Sequence, residues 1–216
     1  MPKRIRIDFV SDVACPWCVI GLLGLEQALA RLNGVVEAEI HFQPFELNPN
    51  MPPEGENAGE HMARKYGAPP AQRLANREAM RARAAALGFT MAKGDDSRIY
   101  NTFDAHRLLH WAGLEGREAA LKHALLETYF TLDQNPTDPQ VLIAAAERAG
   151  LDGEAAREVI ASGRYGPEVR EAEKRWLSAG INSVPAIVID KRYLISGGQP
   201  PEMFEQALRR IAQQAA

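Results

Sequence analysis

The stretch Arg4-Ile5-Arg6-Ile7-Asp8-Phe9-Val10-Ser11-Asp12-Val13-Ala14-Cys15-Pro16-Trp17-Cys18 decides the fold. Residues 4–10 alternate apolar and polar side chains and are rich in β-branched and aromatic types, which predicts a strand. Ser11 to Ala14 leave it. A helix then starts at the cysteines, with Pro16 in its first turn, where a missing N–H costs nothing. Leu22, Leu25, Leu29 and Leu32 recur at helical spacing until Asn33-Gly34 stop them. Residues 36–42 place Val36, Ala38, Ile40 and Phe42 on one face of a second strand. Strand, helix and strand make a β-α-β unit, whose strands run parallel.

Cys15 and Cys18 are the entire cysteine content. Two ligands do not complete a structural zinc site, and so short a loop staples almost nothing. Two buried core cysteines and a metal pair remain as readings beside a redox dithiol, and spacing and placement favour the dithiol. Cys15 would stand at a helix mouth, where unpaired N–H groups and the positive dipole end favour a thiolate. Cys18, one turn on, lies on the same side. The first thiol is read as nucleophile and the second, sheltered one as resolver.

The remaining chain supports a split domain. Pro44, Pro49, Pro52 and Pro53 break regular structure, and no convincing strand appears between about 57 and 179. Helical patterns run over about 69–87, 97–112, 117–132, 138–149 and 153–179, the last interrupted near 163–167. Strand character returns at Pro185-Ala186-Ile187-Val188-Ile189. Asp190-Lys191 turn the chain into Arg192-Tyr193-Leu194-Ile195, forming a hairpin. Residues 200–215 give a last helix with Phe204, Leu208 and Ile211 on one face. The fold class is α/β, in the order β-α-β, a large all-helical insertion, then β-β-α. Residues 1–50 and 180–216 form the core, the helix at about 166–179 packs on it, and 51–165 form the insertion.

Composition sets the outer bounds. The 216 residues are 46% hydrophobic and 25% charged, with a formal net charge of −3. That is an ordinary globule, without the basic surface of a nucleic-acid binder. No apolar run is long enough for a membrane span. Met1-Pro2-Lys3-Arg4 opens no apolar leader segment, so a cytoplasmic protein is expected.

Five blocks carry a family resemblance: Ser11 to Cys18 with the strand before it, Pro44-Phe45-Glu46-Leu47-Asn48-Pro49, Asn101 to Leu108, Ser183-Val184-Pro185, and Ile195-Ser196-Gly197-Gly198-Gln199-Pro200. In this order they resemble the DsbA-like branch of the thioredoxin superfamily, most closely its FrnE-like dithiol-disulfide oxidoreductases. The resemblance implies a thioredoxin fold split by helices, a cis proline at Pro185, and Cys15 and Cys18 as the redox pair. It implies protein thiols or disulfides, or small thiols, as partners, and no metal or organic cofactor, with glutathione possible as co-substrate. A homodimer is possible, and neither nucleic acid nor membrane is expected. Related 2-hydroxychromene-2-carboxylate isomerases and kappa-class glutathione transferases keep this layout with a serine in place of Cys15. They hold glutathione near the cis proline and at the helix start, here Gly197-Gly198-Gln199. A glutathione-dependent transferase or isomerase is therefore one alternative. A non-catalytic chaperone whose helical block holds clients is another.

Further candidates surround the dithiol. From the residues alone, Pro185 opens its strand either through a cis Val184–Pro185 bond that presents an edge to a peptide substrate, or as an ordinary trans proline. Pro16 and Trp17 are expected to tune the cysteines, and Trp17 to meet substrate as a partly exposed apolar contact. The resemblance to thioredoxin-like proteins makes Asp8 a candidate proton relay to Cys18; the other reading is an exposed strand carboxylate. Asn101 and His106 are candidates for lining the cleft. His106 and His110, four apart, have a spacing open to metal or to simple packing. Residues 57–83 carry six basic side chains against two acidic. Their stripe Arg73, Arg77 and Arg81 is read as a solvated face, or as an attraction for acidic substrates. Trp111 and Trp176 are read as core.

Overall fold

The computed structural model describes residues 2–67, 69–94 and 96–214. Strand β1 (Lys3–Ser11) leads into helix α1 (Pro16–Arg31) and strand β2 (Val36–Pro44). After the central helices come β5 (Ala186–Ile189), β6 (Tyr193–Ser196) and α9 (Pro201–Gln214). The sheet order is β2-β1-β5-β6. β1 runs parallel to β2 in the register Lys3 with Val36 through Ser11 with Pro44. It runs antiparallel to β5, which pairs antiparallel with β6. This is the α/β thioredoxin fold with helical insertion that the sequence order implies. The expected last helix reaches Ala215, which lies outside the described residues, as does Met1.

The central stretch holds β3 (Glu56–Asn57), α2 (Ala58–Tyr66), α3 (Pro70–Ala86), β4 (Arg98–Ile99), α4 (Phe103–Leu114), α5 (Glu118–Leu126), a π-helical turn (Glu127–Thr131), α6 (Pro139–Arg148), α7 (Gly153–Ser162) and α8 (Gly166–Ser178). Two expectations need correction. The segment is not free of strand, because β3 and β4 pair antiparallel. Arg98 locks them by donating to the Glu54 and Gly55 carbonyls, at 2.9 and 2.8 Å. This pairing takes residues 98 and 99 out of the helix expected over 97–112. Helix α2 was not expected, although Asn57 caps it by accepting from Glu60 N–H and Gly67 closes it in the left-handed region.

Three apolar clusters each take a side chain from the stretch Val10 to Cys18. One lies between the sheet and α1 and α9, and includes Cys15, Cys18, Phe9, Leu22 and Phe204, with Leu126, Tyr129 and Phe130 from the central stretch. A second joins α4 to α7 and takes in Val13 from the loop before Cys15. A third contains Val10, Phe45, Ile181 and Ala186. The Ser11–Ala14 connection is thus clamped from both halves of the chain, which holds the thiols in a fixed place. Trp111 is core as expected, and half-buried Trp176 packs on the third cluster and donates to Gln43 at 3.1 Å.

Candidate active site

Cys15 caps α1 in extended conformation (φ −94°, ψ 114°), and Pro16 follows in the first helical turn. Its carbonyl accepts the Cys18 N–H at 3.0 Å. Asp12 shapes the turn beforehand. Its carbonyl accepts Cys15 N–H, and its carboxylate accepts Ala14 N–H at 3.0 Å and Leu47 N–H at 2.7 Å. Both cysteines are free and buried close to each other. Cys15 keeps 4% of its surface and Cys18 none, which gives the two sulfurs unequal access. Cys15 Sγ lies 3.7 Å from the Val184 carbonyl oxygen, next to the cis Val184–Pro185 bond. Burial, and then the neighbouring Cys15 sulfur, push the Cys18 thiol well above the ordinary thiol range.

Close packing holds α1 against the loops that face the thiols. A Cβ on Gly21 would stand 3.0 Å from Pro185 Cγ, and one on Gly198 would stand 2.8 Å from the Trp17 carbonyl oxygen. Gly197 N–H donates to the Pro185 carbonyl at 2.8 Å, and Gln199 donates to the Ser196 carbonyl at 2.8 Å. The Gly197-Gly198-Gln199 segment therefore acts here as packing against α1. Gly198→Ala meets backbone rather than a side-chain end, so it is expected to lower unfolding stability by about 1–3 kcal/mol. Urea denaturation measures this, and an unchanged midpoint would mean that the loop yields freely.

The other candidates fall in three places. Trp17 is 37% exposed beside the thiols, with the Arg83 guanidinium 5.2 Å from its ring centroid, tying α1 to α3. Asp8 is buried rather than exposed, and its carboxylate accepts from Arg6 and from Gln43 at 2.8 Å. Those partners neutralise and hold it, and the charged neighbours that act on Cys18 are Cys15 and Lys122. His106 is buried and lines the cavity between β2, α4, α5 and α8. Its Nε2 lies 3.1 Å from the Phe45 carbonyl and 3.8 Å from Asp12 Oδ1. Asn101 is half-buried. Its amide donates to Glu46 and the Pro49 carbonyl, and its oxygen accepts Phe103 N–H, so its polar atoms staple α4 to the exit of β2.

The arginine stripe is not a solvated face. Arg73, Arg77 and Arg81 are half-buried on one side of α3, while Arg83 is exposed. Arg81 donates to the Ala92 and Lys93 carbonyls and pairs with Glu78, so it anchors the helix. The His110 and Tyr165 rings meet at a tilt of 39°, with centroids 5.1 Å apart. Among the described residues, no group of three or more His, Cys, Asp or Glu side chains is placed to hold a metal ion. No helix among them is long and apolar enough to cross a membrane.

Sequence reasoning missed three ionisable groups around the dithiol. Asp12 is one, and its carboxyl lies below the usual range; burial opposes this, but the bond to His106 and the two backbone N–H donors outweigh it. Lys122 on α5 has no exposed surface, and its Nζ has no hydrogen-bond partner. Burial pushes its ammonium down, against the attraction of Cys18, Asp12, Glu118 and Cys15. Glu118, one turn earlier, lies against Phe42 N–H and is pushed up to about 7 by burial. Glu118 and Lys122 line a cavity of about 530 Å³ between β2, α4, α5 and α8.

Comparison with known proteins agrees with this geometry. The family model for the DSBA-like thioredoxin domain matches residues 6–209. A crystal structure described as a probable DsbA oxidoreductase from Streptomyces coelicolor superposes with a TM-score of 0.91 at 35% identity, covering 98% of this chain and 91% of that one. The cytosolic disulfide reductase DsbM from Pseudomonas aeruginosa, solved with glutathione, shares the fold at a TM-score of 0.64 and 16% identity, over 96% and 99% of the two chains. The uncharacterized protein YwbO of Bacillus subtilis is 25% identical over 205 residues, which are 94% of this chain and 96% of that one.

Proposed function

Because the chain belongs to the DSBA-like thioredoxin domain family, we propose that it is a thiol-disulfide oxidoreductase whose Cys15 and Cys18 exchange a disulfide with protein thiols or small thiols. The observation that carries this reading is Cys15 itself. Its sulfur stands at the start of α1, close to Cys18, and lies 3.7 Å from the Val184 carbonyl oxygen.

In the oxidising direction a substrate thiolate attacks Cys15 of the Cys15–Cys18 disulfide, and Cys18 leaves with the electron pair. A second substrate thiolate then attacks the mixed disulfide, the product disulfide departs, and the protein is left with two thiols. In the reducing direction the Cys15 thiolate attacks a substrate disulfide and Cys18 displaces the substrate sulfur. Two electrons move in either case, and the two cysteines carry both. Val184, beside the cis bond that precedes β5, offers its backbone to an extended peptide, and Trp17 offers an apolar rim. Glutathione is a small-thiol partner of the same site.

Equilibration in glutathione redox buffers, followed by alkylation and mass measurement, tests the reading. Both thiols are expected to vanish together in one two-electron transition. Thiols that stay alkylatable up to pure oxidised glutathione would overturn it.

A further inference from the structure

Neither cysteine, nor Trp17, Val184 or Pro185, lines the cavity of about 530 Å³ between β2, α4, α5 and α8. It is a second concave site, apart from the thiols, and of the size that takes a small organic molecule. Phe42, Leu109 and Val169 give it apolar walls. Lys122 lines it too, fully buried, and among the described residues no group accepts a hydrogen bond from its Nζ. The Phe42 ring, 5.8 Å away, is a weak substitute for an acceptor. A buried ammonium costs stability unless something pairs with it. Glu118, one turn earlier on the same face of α5, forms no hydrogen bond with it and lies against Phe42 N–H instead. Water in the cavity can solvate the ammonium but leaves the apolar walls wet. An occupant that satisfies both brings an acceptor oxygen and an apolar body. The α8 side of the lining sets a limit on charge. Glu168, Glu171 and Arg175 stand there in exposed positions, two negative charges against one positive.

We propose that this cavity binds a small monocarboxylate with an apolar body, its carboxylate on Lys122 and its body along Phe42, Leu109 and Val169. The inference goes beyond the dithiol reading and does not depend on it. The carboxylate accepts from Lys122 Nζ in a charge-assisted hydrogen bond, and the body displaces water from the apolar walls. Burial pushes the Lys122 ammonium down, so an anion that enters with it offsets the cost of holding the charge away from water. Burial also brings Glu118 to about 7, so near neutrality its carboxyl is partly uncharged and repels an incoming anion less. Other head groups fit worse. A phosphate ester would carry its second charge past Glu168 and Glu171, and an amine would leave Lys122 without an acceptor.

Isothermal titration calorimetry at pH 7 with 4-phenylbutyrate, 4-phenylbutanol and 4-phenylbutylamine compares three head groups on one apolar body. The carboxylate is expected to saturate a single site at least about tenfold more tightly than the alcohol, with the amine weakest. Lys122→Met should remove that advantage and leave the alcohol within about threefold of its wild-type affinity. Gly113 on α4 lines the cavity, and a Cβ there would first meet the Glu118 carboxyl, at 3.7 Å. Gly113→Phe therefore fills the space without striking backbone, and should weaken the carboxylate about tenfold or more. Its thiols should still react with oxidised glutathione within about twofold of the wild-type rate, since the cavity lies apart from them. Equal or reversed affinities for the three head groups would overturn the proposal. So would phenylbutyrate binding that survives Gly113→Phe or Lys122→Met unchanged, which would place the ligand elsewhere. No saturable heat up to about 10 mM would mean a cavity that holds only water, and would also overturn it. Should Lys122→Met fail to fold, the head groups and Gly113→Phe decide. Thiols that do not exchange with glutathione, in a protein that binds phenylbutyrate as expected, would remove the dithiol reading and leave the carboxylate site standing.

Discussion

Cys18→Ser is expected to accumulate a covalent mixed disulfide between Cys15 and a peptide substrate, whereas Cys15→Ser captures none and loses turnover about a thousandfold or more. The asymmetry follows from access. Cys15 keeps a sliver of exposed surface and faces the Val184 carbonyl, while Cys18 is closed off behind it. An incoming sulfur must align with the bond it breaks, and only Cys15 offers a face to the cleft. Once the mixed disulfide has formed, Cys18 is the neighbour that can displace the substrate, and serine there cannot. The substitution changes little volume, so both variants should fold. Non-reducing electrophoresis after reaction with a disulfide-bonded peptide reads the result, and dithiothreitol should release the adduct. Equal capture by the two variants would remove the assignment of nucleophile and resolver.

The parts of this molecule that follow local rules were legible in its sequence. β1 announces itself by alternation, α1 by Pro16 and the leucine spacing, and the β5–β6 hairpin by its apolar run and turn. The redox pair was legible because its chemistry depends on near neighbours, one turn apart. Residues whose role depends on distant partners were not. His106 and Asn101 sit in a conspicuous block, but what decides their work is the loop after β2, some 50 to 60 residues earlier, whose carbonyls they hold. Arg81 looked like a surface charge until the strand-free segment at 92 and 93 came to lie against it. Lys122 left a signal that was passed over. It falls in phase with Leu125 and Leu126, which are buried, so the inward stripe of α5 predicts it beneath the surface. The capping pair Asn57 and Glu60 similarly marked α2.

The burial of Glu118 has a measurable consequence for stability against pH. Its folded pKa of about 7 lies above the unfolded value of 4.5, with burial as the main cause. A carboxyl shifted upward binds its proton more tightly in the folded state, so folding is favoured below the unfolded pKa and loses stability as pH rises through the folded one. The loss accrues between about pH 4.5 and pH 7 and then levels, for about 3 kcal/mol in all. Glu118→Gln removes the ionisation, keeps the shape, and leaves an amide against Phe42 N–H. The variant should therefore match the wild type near pH 4.5 and exceed it by up to about 3 kcal/mol at pH 8. Asp12 works in the opposite sense. Its lowered pKa stabilises the fold above the unfolded value and is lost as pH falls through the folded one, so it shapes the acid limb in both proteins. Guanidinium denaturation at pH 4.5, 6 and 8 gives the difference directly. A gap that does not grow with pH would mean that Glu118 titrates as an ordinary surface carboxylate. A widening gap would mean that the cavity between β2 and α8 holds Glu118 where its charge costs the fold stability at neutral pH.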